Sequence, residues 1–143
     1  MPAADDAPAQ LSIVVFAGTY DRVHYALTMA AAALAVNTPA TLFFTMGALR
    51  ALVGADGWRG LLPGEDGASP AEADARMVAR GLAGFDEMLS SCVTLGAKVM
   101  ACEMGMRTTG IDAAQLRRDV PIAEGGLVTF LADASRDGAM LFV

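Results

Sequence analysis

The residues best suited to chemistry lie in "KVMACEMGM", Lys98 to Met106, where an apolar run ends at Cys102 and an acid, two methionines and a glycine follow. A cysteine in this position is either a small buried hydrophobe, free cysteine being among the most buried residue types, or a nucleophile that works as its thiolate. Glu103 opposes ionisation of the neighbouring thiol, whereas Arg107 and backbone N–H groups near Gly105 or Gly125 favour it. Met46, Met104 and Met106 offer soft apolar side chains for a core or for the wall of a thiol site. His24 is the single histidine. It is either a surface or interface residue or an auxiliary to Cys102, because the first helix starts at the same sheet edge.

Cys92 is the internal control. It falls on the apolar face of a helix that runs back toward the amino-terminal edge of a parallel sheet, so it is separated from Cys102 by a strand length of about 16 Å at ~3.3 Å per residue. A disulfide needs Cα atoms within about 7 Å, which leaves Cys102 as a solitary thiol. A solitary thiol can carry a group, but it is not a dithiol oxidoreductase.

The elements that would position these residues follow from pattern. "LSIVVFA" and "ATLFFTM" are short continuous apolar runs, as is "AKVMAC". Each reads as a fully buried strand. Asp21 can cap a helix carrying Val23, Leu27, Ala30, Ala31 and Leu34 at helical spacing. Gly47 to Val53 reads as a short helix ended by Gly54. Gly54 to Ser69, with Trp58, reads as a loop long enough to be a lid or an oligomer contact. "SPAE" is a capping box with Ser69 at the cap, Pro70 first in the helix and Glu72 three residues on. It opens one long helix whose face carries Val78, Leu82, Phe85, Leu89 and Cys92. "DAAQ" (Asp112 to Gln115) repeats the capping box, and Pro121 restricts "VPIA" to an edge strand. Gly125-Gly126 open a helix bearing Leu127, Val128 and Leu131, and "AMLFV" closes as a strand. Apolar strands alternating with helices predict an α/β fold: a three-layer α/β/α sandwich around a parallel sheet of about five strands.

In such sheets ligands gather beyond the carboxyl ends of the strands. The candidate pocket is therefore Gly18, Thr19, Tyr20, Thr45, Met46, Met104, Met106 and Gly125 around Cys102, with His24 and Arg107 as auxiliaries. "AGTYDRVHY" lacks the glycine and lysine spacing of dinucleotide and P-loop sites, and Asp21 would repel a phosphate, so no cofactor is expected.

The whole chain sets the remaining bounds. At 143 residues it is one domain, with residues 1–10 an acidic Pro/Ala-rich tail and 11–143 the folded unit. The tail lacks the basic start and apolar core of a signal peptide, and the longest apolar run is too short to span a bilayer. A cytoplasmic protein without a membrane partner is expected. A net charge of −6 excludes the electrostatic footprint of a nucleic-acid binder. Two cysteines and one histidine cannot build a Cys/His zinc site within one chain, so no metal is expected. The 55% apolar composition points to a surface buried between subunits.

The order of segments resembles the DsrE/DsrF-like family, in particular its small stand-alone members labelled DsrE-like or peroxiredoxin-like. The resemblance rests on "FAGTYDRVHYALTMAAAALA", "TLFFTMGALRAL", "LLPG", "ACEMGMRTTGI" and "GGLVTFLADA", and Cys102, Met104, Met106 and Gly110 match its C-x-M-x-M-x-x-x-G context. It implies a flavodoxin-like, DsrEFH-like sandwich, a homo-oligomer such as a trimer or hexamer, and a cysteine that holds sulfur as a persulfide. The implied function is a sulfur carrier of the sulfurtransferase type that exchanges with donor and acceptor proteins. Glu103 and Arg107 depart from a motif otherwise expected to be neutral. The alternatives are a small-molecule or nucleotide-binding module without chemistry, and a structural subunit with a vestigial cysteine.

Overall fold

The computed structural model describes residues 7–143. Five parallel strands, β1 (Leu11–Val15), β2 (Ala40–Phe44), β3 (Lys98–Cys102), β4 (Ile122–Gly125) and β5 (Ala139–Phe142), form one sheet in the order β4-β3-β2-β1-β5. The helices are α1 (Tyr20–Ala35), α2 (Pro70–Ala79), α3 (Phe85–Thr94), α4 (Glu103–Thr109) and α5 (Leu127–Asp133), with 3₁₀ turns at Met46–Leu52, Gly57–Gly60 and Ala113–Gln115. Strand neighbours in register point their side chains to the same face, and this alternation divides the interior in two. Ile13, Val15, Leu42, Phe44, Val99 and Ala101 face α1 and α3 in the larger core. Val14, Phe43, Met100 and Cys102 face the other way, toward Phe130 of α5. The α/β class with its three layers is thus present, and the second layer of helix is one short element.

Several local expectations hold. Ser69 accepts from Glu72 N at 3.2 Å while Ser69 N donates to Glu72, the reciprocal pairing of a capping box, with Pro70 in the first turn. Asp112 N donates to Gln115 Oε1 at 2.7 Å. Pro121 precedes β4, which lies at a sheet edge.

Others are corrected. Thr19, not Asp21, is the cap residue of α1. The single long helix after Ser69 is two helices, because Gly81 adopts the left-handed φ of +76° and Gly84 provides an extended cap for α3. Phe85, Leu89 and Cys92 are buried, but Val78 and Leu82 belong to α2 and its exit and are exposed. The stretch from Gly54 to Ser69 is not a lid. Trp58 is buried and stacks on Phe85, and Leu62 N donates to Gly18 O at 2.8 Å, pinning the segment to the start of α1.

Residues 1–6 of the expected tail lie outside the described residues. Gln10, at the tail's end, is held: its side-chain nitrogen lies 3.1 Å from Thr41 Oγ1 and 3.3 Å from Asp133 Oδ2. Lys98 Nζ pairs with Asp133 Oδ1 at 2.9 Å. This polar group closes the amino-terminal end of the α5 face, where β1 is buried and the edge strand β5 is largely exposed. Among the described residues no helix is long and apolar enough to cross a membrane.

Candidate active site at the carboxyl ends of β3 and β4

The strand order explains why Cys102 sits where a ligand could reach a parallel sheet. From β1 to β4 the chain steps outward one strand at a time, and its helices pack on the larger core. It then returns from β4 past the whole sheet to β5, and since crossovers are right-handed, this reversed step places α5 on the opposite face. The connections leaving β3 and β4, which are neighbours, therefore diverge. Met106 of α4 joins the larger core, and Phe130 of α5 joins the smaller one. Such a divergence is the topological switch point at which α/β sheets open a crevice. Cys102 and Gly125 are its two terminal residues, paired in register.

Cys102 is the cap residue of α4, and its Sγ accepts a hydrogen bond from Gly105 N at 3.4 Å. It is 1% exposed, packed with Val14, Phe43, Met100 and Phe130. Cys92 differs in each respect. It lies in the larger core, its Sγ donates to Leu27 O at 3.2 Å, and burial pushes its thiol up to about 11. Both cysteines are free. One sulfur thus donates to a carbonyl, and the other accepts from a backbone amide.

The other expected site residues divide into groups. Gly125 flanks Cys102. Thr45 is buried and Met46 takes the left-handed φ of +47°. Both meet α4 through Gly105, whose hypothetical Cβ would stand 2.6 Å from Thr45 Oγ1 and 2.9 Å from Met46 N. Gly18 lies against Gly47, close enough that a Cβ on either would press on the other's backbone at about 3.1 and 3.0 Å. Thr19 is bridged to Leu62. Tyr20 and His24 lie apart from Cys102 on the α1 side, where Tyr20 Oη donates to Asp74 Oδ1 at 2.7 Å and His24 Nε2 lies 2.9 Å from Ala83 O. The methionine wall differs from expectation. Met106 is buried in the opposite core, Met104 is 54% exposed, and Met100 is the methionine that packs with Cys102. Arg107 is exposed and shares with Glu103, Met106 and Glu124 a cavity of about 290 Å³ beside the switch point. Cys102 does not line that cavity. Among the described residues no cluster of three or more His, Cys, Asp or Glu side chains could hold a metal ion.

Gly105 is the residue that sequence reasoning undervalued. The sequence offers it only as a nearby N–H, yet its lack of a side chain is what lets α4 touch the Thr45–Met46 turn. Gly105→Ala is expected to cost about 2 kcal/mol as an overpacking change and to displace the amide from Cys102 Sγ. A denaturant titration measures the first effect. The change in the amide proton shift of residue 105 on Cys102→Ala substitution, expected in the otherwise native protein and lost in the Gly105→Ala background, reports the second. Phe130 and Phe43 were also missed as the cover of the thiol. Their signal was present as the single aromatic residue of "GGLVTFLADA" and as the first of the two adjacent phenylalanines that end β2.

A scan against protein-family models finds no match, and no curated protein matches the chain. Among solved structures the chain is similar to a protein of unknown function, MTH1491, from Methanobacterium thermoautotrophicum. The likeness covers 94% of this chain and 98% of that one, with a TM-score of 0.56 and 12% sequence identity. At that identity it is a likeness of fold.

Proposed function

We propose that the protein is a cytoplasmic sulfur carrier of the DsrE-like kind that holds sulfane sulfur on Cys102. The observation that carries this reading is the hydrogen bond from Gly105 N to Cys102 Sγ at the switch point between β3 and β4. The bond holds this sulfur at the start of α4 against a backbone N–H, whereas the Cys92 sulfur is turned to a carbonyl in the larger core. In the transfer step the Cys102 thiolate attacks the outer sulfur of a donor persulfide, an S–S bond forms on Cys102, the donor's S–S bond breaks, and the donor leaves as a thiolate. No net oxidation occurs, so one thiol suffices. Because Cys102 is covered by Phe130 of α5, loading requires that this short helix lift when a donor protein docks. The apolar residues Phe16, Met140, Phe142, Val128 and Leu131 are exposed around the same face and support assembly into a homo-oligomer, a trimer or hexamer.

The test is intact-protein mass spectrometry after incubation with glutathione persulfide near neutral pH. The expected product carries one added sulfur atom per chain, retained by Cys92→Ser and lost in Cys102→Ser. Absence of added sulfur, or equal loading of the Cys102→Ser protein, would overturn the assignment.

A further inference from the structure

A cavity of about 510 Å³ lies between the first turns of α1, the loop at residues 64–66 and α2, apart from Cys102. Its size falls within the roughly 300–1,000 Å³ of small-molecule sites. Tyr25, Met77 and Leu82 give it an apolar wall. The inner aromatic groups are already committed. Burial, reinforced by the hydrogen bond to Asp74, raises the Tyr20 phenol so that it remains a donor, and His24 is held through Nε2 by Ala83 O. The charges at the mouth are unevenly committed. Arg76 pairs with Asp66 at 2.9 Å and Asp21 accepts from the backbone N–H of Arg22 at 2.9 Å, whereas Glu65 and Arg80, both exposed, have neither an ion-pair nor a side-chain hydrogen-bond partner among the described residues. One cavity therefore presents a carboxylate and a guanidinium without partners, together with an apolar wall.

We infer that this cavity binds a small zwitterion with an apolar or aromatic body, of the free amino-acid class. Its carboxylate would meet Arg80, which can offer two parallel N–H donors, its ammonium would meet Glu65, and its body would lie on Tyr25, Met77 and Leu82. A pure anion or a pure cation satisfies one end and leaves the other charge facing the ligand unmatched.

Three probes of common body separate these cases: L-phenylalanine, phenylacetate and phenethylamine, titrated while amide shifts of residues 64–66 and 76–82 are followed. Phenylalanine is expected to saturate at the lowest concentration, and Arg80→Gln or Glu65→Gln to weaken it at least about tenfold, the loss of one charged hydrogen-bond partner. Both positions are exposed, so equal thermal midpoints will show that the variants remain folded. No saturable shift with phenylalanine, equal binding of all three probes, or variants that bind as tightly as the unsubstituted protein would overturn the inference. The Cys102→Ser protein is expected to bind phenylalanine unchanged, so the outcome is separable from that of the sulfur-carrier reading.

Discussion

Trp58→Ala is expected to lose about 3–5 kcal/mol of folding stability, the cost of removing a fully buried large aromatic side chain. The indole is 2% exposed and stacks on Phe85 at 5.5 Å between ring centroids, with Tyr20 at 5.9 Å. Its Nε1–H donates to Asp86 Oδ2 at 3.3 Å, and Asp86 Oδ1 accepts from Arg117 at 3.1 Å. Arg117 has a buried side chain that also forms a two-point pair with Asp119 at 2.8 and 2.7 Å, and this contact holds the Asp119 carboxyl below its usual range. Trp58 therefore ties the loop at residues 57–60, the start of α3 and the approach to β4 together. Urea unfolding measures the loss. Trp58→Phe, which keeps a ring and gives up the N–H, should cost far less, about 1 kcal/mol for the hydrogen bond plus the smaller ring. A loss under about 1 kcal/mol in Trp58→Ala would contradict the reading of this segment as core.

The second large effect concerns access to the thiol. Phe130 stacks on Phe43 at 4.6 Å and is the buried residue by which α5 covers the face that contains Cys102. The remaining apolar residues of α5, Leu127, Val128 and Leu131, are exposed, with Val128 at 83%, so little else on the helix holds it down. Phe130→Ala should cost about 3 kcal/mol or more, and much of that loss should appear as local opening of α5. The rate at which a maleimide labels Cys102 under native conditions is expected to rise at least about tenfold, since 1.4 kcal/mol of opening energy is already a factor of ten. Cys92 should be unaffected, because α1 and α3 cover it on the other face. Cleavage and mass analysis distinguish the two cysteines. An unchanged rate at Cys102 would show that reagents reach it by another path and that α5 is not its cover.

The two variants also separate the halves of the molecule. Trp58 acts in the larger core and should loosen the protein as a whole, while Phe130 acts in the smaller cluster and should expose one sulfur. If Phe130→Ala were to speed sulfur loading as well as maleimide labelling, helix lifting would be the limiting step of the proposed carrier. Faster labelling without faster loading would place the limit in the transfer itself.

What the sequence determined by itself is what lies within one segment. The continuous apolar runs specified buried parallel strands, because a strand covered on both faces has no polar alternation. Ser69-Pro70-Glu72 specified a helix start because both capping partners lie within four residues. Cys102 was legible as the end of a strand and Cys92 as a buried helix residue for the same local reason. Gly81 and Gly84 were visible but not decisive, since a glycine in a helical pattern breaks it only where the surroundings reward a positive φ.

The tertiary structure decided which face each residue serves. The run "KVMAC" contains nothing to say that Ala101 faces α1 and α3 while Cys102 faces α5, or that α5 buries Phe130 and exposes its neighbours. Nor could the pattern reveal that β5 returns beside β1, although that return sends α5 to the opposite face and puts Cys102 and Gly125 at the switch point. Glu65 and Arg80 share a cavity only because the loop and α2 are folded against α1. These outcomes depend on contacts between residues far apart in the chain, where the free energy of burying one face against another exceeds any preference encoded in a single segment.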